Sequence, residues 1–199
     1  MSELIRSFIA VVVAPEAARE LRAPQDRLKE ADGGVKWVNA DGFHLTLKFL
    51  GEVERERLEA VWEAARLAMA GCAAFEMRFR GVGAFPDANR ARVIWADVAQ
   101  GAQELAELAQ RAEEACAAHG FPRENRPFRA HLTLGRVRQP GPNPGLAGVI
   151  RELAETELGR SPVDRVVLMK SELTRQGAIY HELKHAALTG EGETDERET

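Results

Sequence analysis

Apolar side chains gather first at residues 7–13, a run rich in Phe, Ile and Val that predicts a strand. Pro15 closes it and suits the first turn of a helix, and helix formers fill 15–31 until Asp32-Gly33-Gly34 stops them. A short strand is predicted at 35–38, a turn at 39–42, and a strand at 43–50 that Gly51 ends. Over 54–70 the period lengthens from two to 3.6, because Leu58, Val61, Trp62, Ala65 and Met69 fall on one helical face. Strands are predicted at 75–82 and 92–98, a helix at 102–118 stopped by Gly120, and a strand at 130–137. The three prolines within 139–145 predict a loop, followed by a short helix at 146–155 and strands at 163–173 and 178–183.

Strand–helix–strand units recur along this pattern, and each half contains the same tetrapeptide. His44-Leu45-Thr46-Leu47 and His131-Leu132-Thr133-Leu134 are identical and 87 positions apart. With five His in 199 residues, chance supplies about 0.2 His-x-Thr pairs, so two identical copies are a signal. The simplest architecture is α+β: a bilobal, duplicated unit over residues 1–188. It would have two antiparallel or mixed sheets, outer helices and a central cleft carrying both motifs. Outside the motif the halves share little residue by residue.

Side chains of a strand alternate between its faces. Within each copy the two leucines therefore point to the core, while His44 with Thr46, and His131 with Thr133, point the other way. Two such pairs facing one cleft suit attack on a phosphodiester. One imidazole accepts a proton and the other donates one, and the hydroxyls hydrogen-bond the non-bridging oxygens. No carboxylate cluster lies nearby, so neither a metal nor another cofactor is expected.

Charge adds a direction to this picture. Arg123, Arg126, Arg129, Arg136 and Arg138 crowd residues 123–138 against the single acid Glu124. Arg136 follows the second motif closely and alternation puts Arg129 on the His131 face, so both are candidate phosphate ligands. Phe128 and Phe85 are candidates for stacking on a base. The formal net charge of −4 opposes a nucleic-acid partner only on first inspection, because residues 189–199 alone carry five acids and one base. That acidic stretch has no apolar residue and is expected to be a disordered tail, leaving a neutral body.

Apolar content of 45% and charged content of 29% are those of an ordinary folded protein. The apolar run at 8–14 is too short to span a bilayer and lacks a signal-peptide cleavage site, so a cytoplasmic protein with no membrane partner is expected. Cys72 and Cys116 read as buried small hydrophobes, and Trp37, Trp62 and Trp95 as core. His119 reads as a cation at a helix C-terminus, and the i, i+4 spacing of His181 and His185 as chance. Lys48 and Lys170 either line the cleft or are solvated.

These residues resemble the two-histidine phosphoesterase superfamily, and in particular its RNA 2′,3′-cyclic phosphodiesterase branch, also called 2′-5′ RNA ligase. The matching stretches are Arg6-Ser7-Phe8-Ile9-Ala10, Phe43-His44-Leu45-Thr46-Leu47-Lys48-Phe49-Leu50-Gly51 and Asn125-Arg126-Pro127-Phe128-Arg129-Ala130-His131-Leu132-Thr133-Leu134. The resemblance implies a bilobal fold and hydrolysis of an RNA terminal 2′,3′-cyclic phosphate to a 2′-phosphate, with 2′-5′ joining as the reverse reaction. It implies that His44 donates a proton to the leaving oxygen, that His131 activates water, and that Thr46, Thr133 and Arg136 hold the phosphate. The expected partner is an RNA 3′ end with a cyclic phosphate, tRNA-derived ends included, bound by a monomer. Two other readings stay open: a non-catalytic nucleotide- or RNA-binding module, and a phosphodiesterase for small cyclic nucleotide derivatives.

Overall fold

The computed structural model describes residues 3–31, 34–174 and 178–190. In chain order the elements are β1 (Leu4–Val12), α1 (Pro15–Glu20), α2 (Arg22–Ala31), β2 (Val35–Trp37), β3 (His44–Glu54), α3 (Arg55–Met69), β4 (Phe75–Phe85) and β5 (Val93–Gln100). They continue with α4 (Ala102–Ala118), β6 (His131–Val137), α5 (Pro144–Glu152), β7 (Glu157–Val163), β8 (Arg165–Leu173) and β9 (Ala178–Ala187).

The helices with the clearest period fold as their sequence dictates. In α3 the five predicted residues, Leu58, Val61, Trp62, Ala65 and Met69, are all buried. α4 spans the predicted 102–118 and buries Leu105, Leu108, Ala109, Ala112 and Cys116, and Gly120 at φ +76° follows it. His119 caps this end, its Nδ1 at 3.0 Å from the Ala115 carbonyl, which bears out its structural reading. Burial pushes the Cys116 thiol up to about 11.

Four boundaries differ from the sequence pattern, each for a local reason. The helix predicted over 15–31 is two, α1 and α2, separated at Leu21. Pro24 has no N–H to return to residue 20, so it is accommodated in the first turn of a new helix. Gly51 does not end β3 but sits in it at φ +79°, beside a register shift between the Ser7–Gly51 and Phe8–Phe49 pairs. Pro144 opens α5 instead of prolonging the loop, with Asn143 Oδ1 accepting the Leu146 N–H at 3.0 Å. The strand expected at 163–173 is preceded by β7, which the sequence hides behind Gly159 and Pro162. β7 is an edge strand, where a proline does no harm.

The strands form two sheets, β3-β1-β8-β9 and β2-β6-β5-β4-β7, and every named pairing is antiparallel. The mixed alternative is not realised. Neither sheet belongs to one half of the chain. β1 and β3 are completed by β8 and β9 from the second half, while β5 and β6 are completed by β4 and β2 from the first. Leaving β2 aside, the two orders begin alike, with the motif strand, the first strand of its own half and then a strand carried across. They differ at the end, where β9 comes from the other half and β7 from the same half as its motif strand.

One continuous core joins both sheets to the helices. Leu45, Leu47, Leu132 and Leu134 all lie in it, no more than 5% exposed, as alternation requires. Each contributes about 1.5–3 kcal/mol by burial and pins the register of its motif strand. A second, smaller cluster of Phe8, Ala10, Val167 and Met169 lies on the opposite face of the first sheet, with Val12 and Tyr180 against it. No helix among the described residues is long and apolar enough to cross a membrane. At the far end Leu188 is buried, Thr189 bridges Ala73, and the Gly190 N–H donates to the Cys72 carbonyl at 3.1 Å. Of the expected acidic tail, residues 191–199 lie outside the described residues.

Candidate active site

Both motif strands carry the same irregularity at the same place. In β3 the pairing with β1 skips Leu47, passing from Thr46–Ala10 to Lys48–Ile9. In β6 the pairing with β5 skips Leu134, passing from Thr133–Trp95 to Gly135–Ile94. A bulge adds one residue and so reverses the alternation beyond it. Lys48 and Gly135 turn inward and are buried, while Phe49 and Arg136 return to the histidine faces and are exposed. Unbroken alternation would have put Arg136 in the core.

The two histidines are anchored alike. His44 Nδ1 lies 2.7 Å from the Gly42 carbonyl and His131 Nδ1 lies 2.8 Å from the Arg129 carbonyl, each two residues back. A carbonyl only accepts, so in both rings Nδ1 carries the hydrogen and donates it. Each Nε2 is thereby left to take or give a proton. Thr46 is exposed and Thr133 half-buried on the same faces as their histidines.

Their surroundings are not alike. His44 lies between Phe8, whose ring centroid is 4.8 Å away, and Tyr180, at 4.6 Å and nearly perpendicular. The Gly42 Cα passes so close to Tyr180 that an added Cβ would lie 3.2 Å from its ring. His131 instead meets the edge of Phe85 at 5.4 Å. Phe85 in turn stacks at a tilt on Trp95, and the Arg129 guanidinium lies over both rings, 5.2 and 4.7 Å from their centroids. Gly83 makes room for this indole, because a Cβ there would lie 2.3 Å from it. The register partners differ too: Val12 opposite His44, Asp97 opposite His131.

Arg136 joins the two faces electrostatically. Its charge, carried on β6, reaches both His44 and Tyr180 on the other sheet. Burial pushes the His44 pKa below its ordinary 6.5; the Gly42 carbonyl opposes this, and Arg136 adds to it. Burial raises the Tyr180 phenol, with Arg136 and then Arg6 working against the rise.

The structure groups His131, Phe85 and Arg129 around Trp95 on one sheet and His44 with Phe8 and Tyr180 on the other. Thr133 and Thr46 lie on the same faces as their histidines, and the Arg136 charge reaches from the first group to His44. Phe128 is placed differently: it packs against the main core in the segment leading to β6. Lys48 is neither cleft-lining nor solvated. Its Nζ donates to the Pro122 carbonyl at 2.7 Å and pairs with Glu113 at 2.8 Å, a corollary of the bulge. His181 and His185 pair with Glu172 and Glu182 on β9 and the strand beside it. Trp95, read as core, is buried but also forms part of the aromatic support under Arg129, and its Nε1 has no partner. Tyr180 is the site residue that sequence reasoning missed, and the one signal for it is that it is the lone tyrosine in 199 residues. Among the described residues no group of three or more His, Cys, Asp or Glu side chains is placed to hold a metal ion.

Two interlocked antiparallel sheets, each offering a carbonyl-anchored histidine from a bulged strand, define a duplicated α+β phosphoesterase fold. The sequence model of the LigT-like phosphoesterase family matches residues 11–95 and again 97–180, and the chain belongs to that family, within the two-histidine superfamily. The double match divides the chain into two repeats with one motif each. An RNA 2′,3′-cyclic phosphodiesterase of Archaeoglobus fulgidus is 39% identical over 182 residues, covering 90% of this chain and 98% of the relative. That of Methanothermobacter thermautotrophicus is 35% identical over 180 residues, covering 90% and 97%. Among solved structures, TT0787 of Thermus thermophilus superposes with a TM-score of 0.78 at 29% identity, covering 94% of this chain and 100% of that one. Escherichia coli LigT complexed with 3′-AMP gives 0.74 at 28% identity, covering 94% and 99%.

Proposed function

We propose that the chain hydrolyses the 2′,3′-cyclic phosphate at RNA 3′ ends to a 2′-phosphate, with His131 as base and His44 as acid. Water attacks phosphorus as its proton passes to His131 Nε2. The bond from phosphorus to the 3′ oxygen breaks, and that oxygen takes the proton of His44 Nε2. Thr46 and Thr133 donate to the non-bridging oxygens, Arg136 balances their charge, and Arg129 extends the cationic side. Phe85, beside His131, is the ring we assign to a base. A 5′ hydroxyl attacking in place of water gives a 2′-5′ linkage by the same bond changes, and the return of the 3′ oxygen onto that linkage cleaves it again.

The observation that carries this reading is the matched pair of anchors, which leaves two imidazole Nε2 atoms free on the faces that Arg136 links. The names of the relatives support the substrate class. The lowered pKa of His44 fits an acid that gains its proton with the substrate: an anionic phosphate on Arg136 offsets the charge that helps keep the ring neutral. All these groups come from one chain, so a monomer suffices. They address the terminal ribose phosphate and no particular RNA body, so tRNA-derived ends are included among the substrates.

The test is an RNA with a 2′,3′-cyclic phosphate end, incubated with a chelator present. We expect a 2′-phosphate product, and His44→Ala or His131→Ala slows its formation by about 10²–10⁴-fold. Full activity in either variant, or a 3′-phosphate product, overturns the acid–base scheme. Tight binding of the product without any turnover would instead favour a binding module.

A further inference from the structure

The two bulges make Phe49 and Arg136 equivalent positions. Each is the third residue after the motif threonine, and each is returned to the histidine face by the skipped leucine. The second copy places a guanidinium there. The first copy places an aromatic ring, and a guanidinium from the neighbouring strand lies on it: Arg6, with its central carbon 4.6 Å from the Phe49 centroid. Arg6 shares its face of β1 with Phe8, the ring against which His44 rests. The site is therefore flanked by two cations in related positions, Arg136 on one sheet and Arg6 on the other. Tyr180 lies within electrostatic reach of both.

Arg6 is also uncommitted. Its Nε is buried with no hydrogen-bond partner, and among the described residues no carboxylate forms an ion pair with it. Glu52, its register partner on β3, is exposed and out of ion-pair contact. Several other arginines of the chain differ in this respect: Arg19, Arg22, Arg27, Arg55 and Arg66 each hold an acid. Phe49 is 41% exposed, so the face of its ring that carries Arg6 lies at the surface. A guanidinium laid on a ring, with its Nε unpaired and no carboxylate on it among the described residues, is suited to a phosphate.

We propose that Arg6, resting over Phe49, is a subsite for a second phosphate of the substrate, the one on the 5′ side of the terminal ribose. This inference rests on the proposed function and deepens it, because it makes the preferred substrate one that carries two phosphates. That phosphate is either the linkage to the preceding nucleotide of an RNA or the 5′-phosphate of a small nucleotide.

Three substrates separate these cases: a nucleoside 2′,3′-cyclic phosphate, the same compound with a 5′-phosphate, and a dinucleotide ending in the cyclic phosphate. The wild type should prefer at least one of the latter two over the first by about tenfold in kcat/KM. In Arg6→Gln that preference should fall to near one, in Arg6→Lys it should survive in part, and Phe49→Leu should weaken it. A preference for the dinucleotide alone identifies the internucleotide linkage; an equal preference for both identifies any 5′-phosphate. Arg6→Gln slowing all three equally, or leaving the preference intact, overturns the subsite.

Binding supplies a second readout independent of turnover. A nucleoside 2′,5′-bisphosphate should bind the wild type about tenfold more tightly than a nucleoside 2′-phosphate, and Arg6→Gln should abolish the difference. If no cyclic phosphate is opened, the proposed function fails while this comparison still decides the subsite. Equal binding by the wild type of these two ligands and of a dinucleotide ending in a 2′-phosphate overturns it.

Discussion

His44 is held neutral in the free protein chiefly by burial, with the Gly42 carbonyl opposing and the Arg136 charge assisting. Two outcomes follow at the level of single residues. In NMR titrations His44 should protonate below 6.5, and Arg136→Gln should move its pKa upward; a downward move would contradict the charge argument. Stability should respond as well. A histidine whose folded pKa lies below its unfolded value binds fewer protons when folded, so its stabilising share is complete above about 6.5 and is lost as pH falls through the folded value. Urea midpoints between pH 7.5 and 5 should therefore decline more steeply in the wild type than in His44→Asn, and the reverse ordering would refute the assignment. The residue identities behind this chemistry were open to sequence reasoning, because a repeated His-x-Thr is its own signal. The inequality of the two histidines was not, since burial and a charge from another strand are properties of the fold.

At the scale of elements, α4 was legible to the residue and α3 to within one residue at each end, because their helical period depends only on neighbours in the chain. The bulges were not. A skipped residue is defined by the partner strand, and nothing in Leu47 or Leu134 announces it. Its consequences are large: Lys48 goes to the core, and Phe49 and Arg136 come to the site. Lys48 then ties β3 to α4 through Glu113, and to the segment that leads into β6 through the Pro122 carbonyl and the more distant Glu124. Lys48→Met keeps the apolar stem but leaves Glu113 without its cation. It should cost about 1–3 kcal/mol in urea unfolding, below a fully buried pair because Glu113 is partly exposed. An unchanged midpoint would remove Lys48 from this role. On the opposite sheet, Gly83→Ala drives a Cβ into the Trp95 indole and should cost about 1–3 kcal/mol, with activity falling as Arg129 loses its support.

For the molecule as a whole, the exchange of strands between sheets makes independent folding of the halves impossible in this arrangement. A fragment of residues 1–91 would retain β1 without β8 and β4 without β5, exposing unpaired edges. Calorimetry of the full chain should give one cooperative transition, and the fragment alone should give none. Two separable transitions would show that the sheets are autonomous. The duplication was legible from the motif; the interleaving was not, because strand order within a sheet follows from packing and not from spacing along the chain.

The matched bulges bear on ancestry as well as geometry. Two identical halves related by a symmetry axis must present the same side chain at both bulges, so any change at one site is repeated at the other. Once both halves share a single polypeptide, each position mutates alone. The protein exploits that freedom at one point in each repeat: a phenylalanine under a borrowed guanidinium on one side, an arginine of its own on the other. Fusion is thus what would permit a pseudo-symmetric frame to hold the directional reaction we propose, with an entry side and an exit side for the proton.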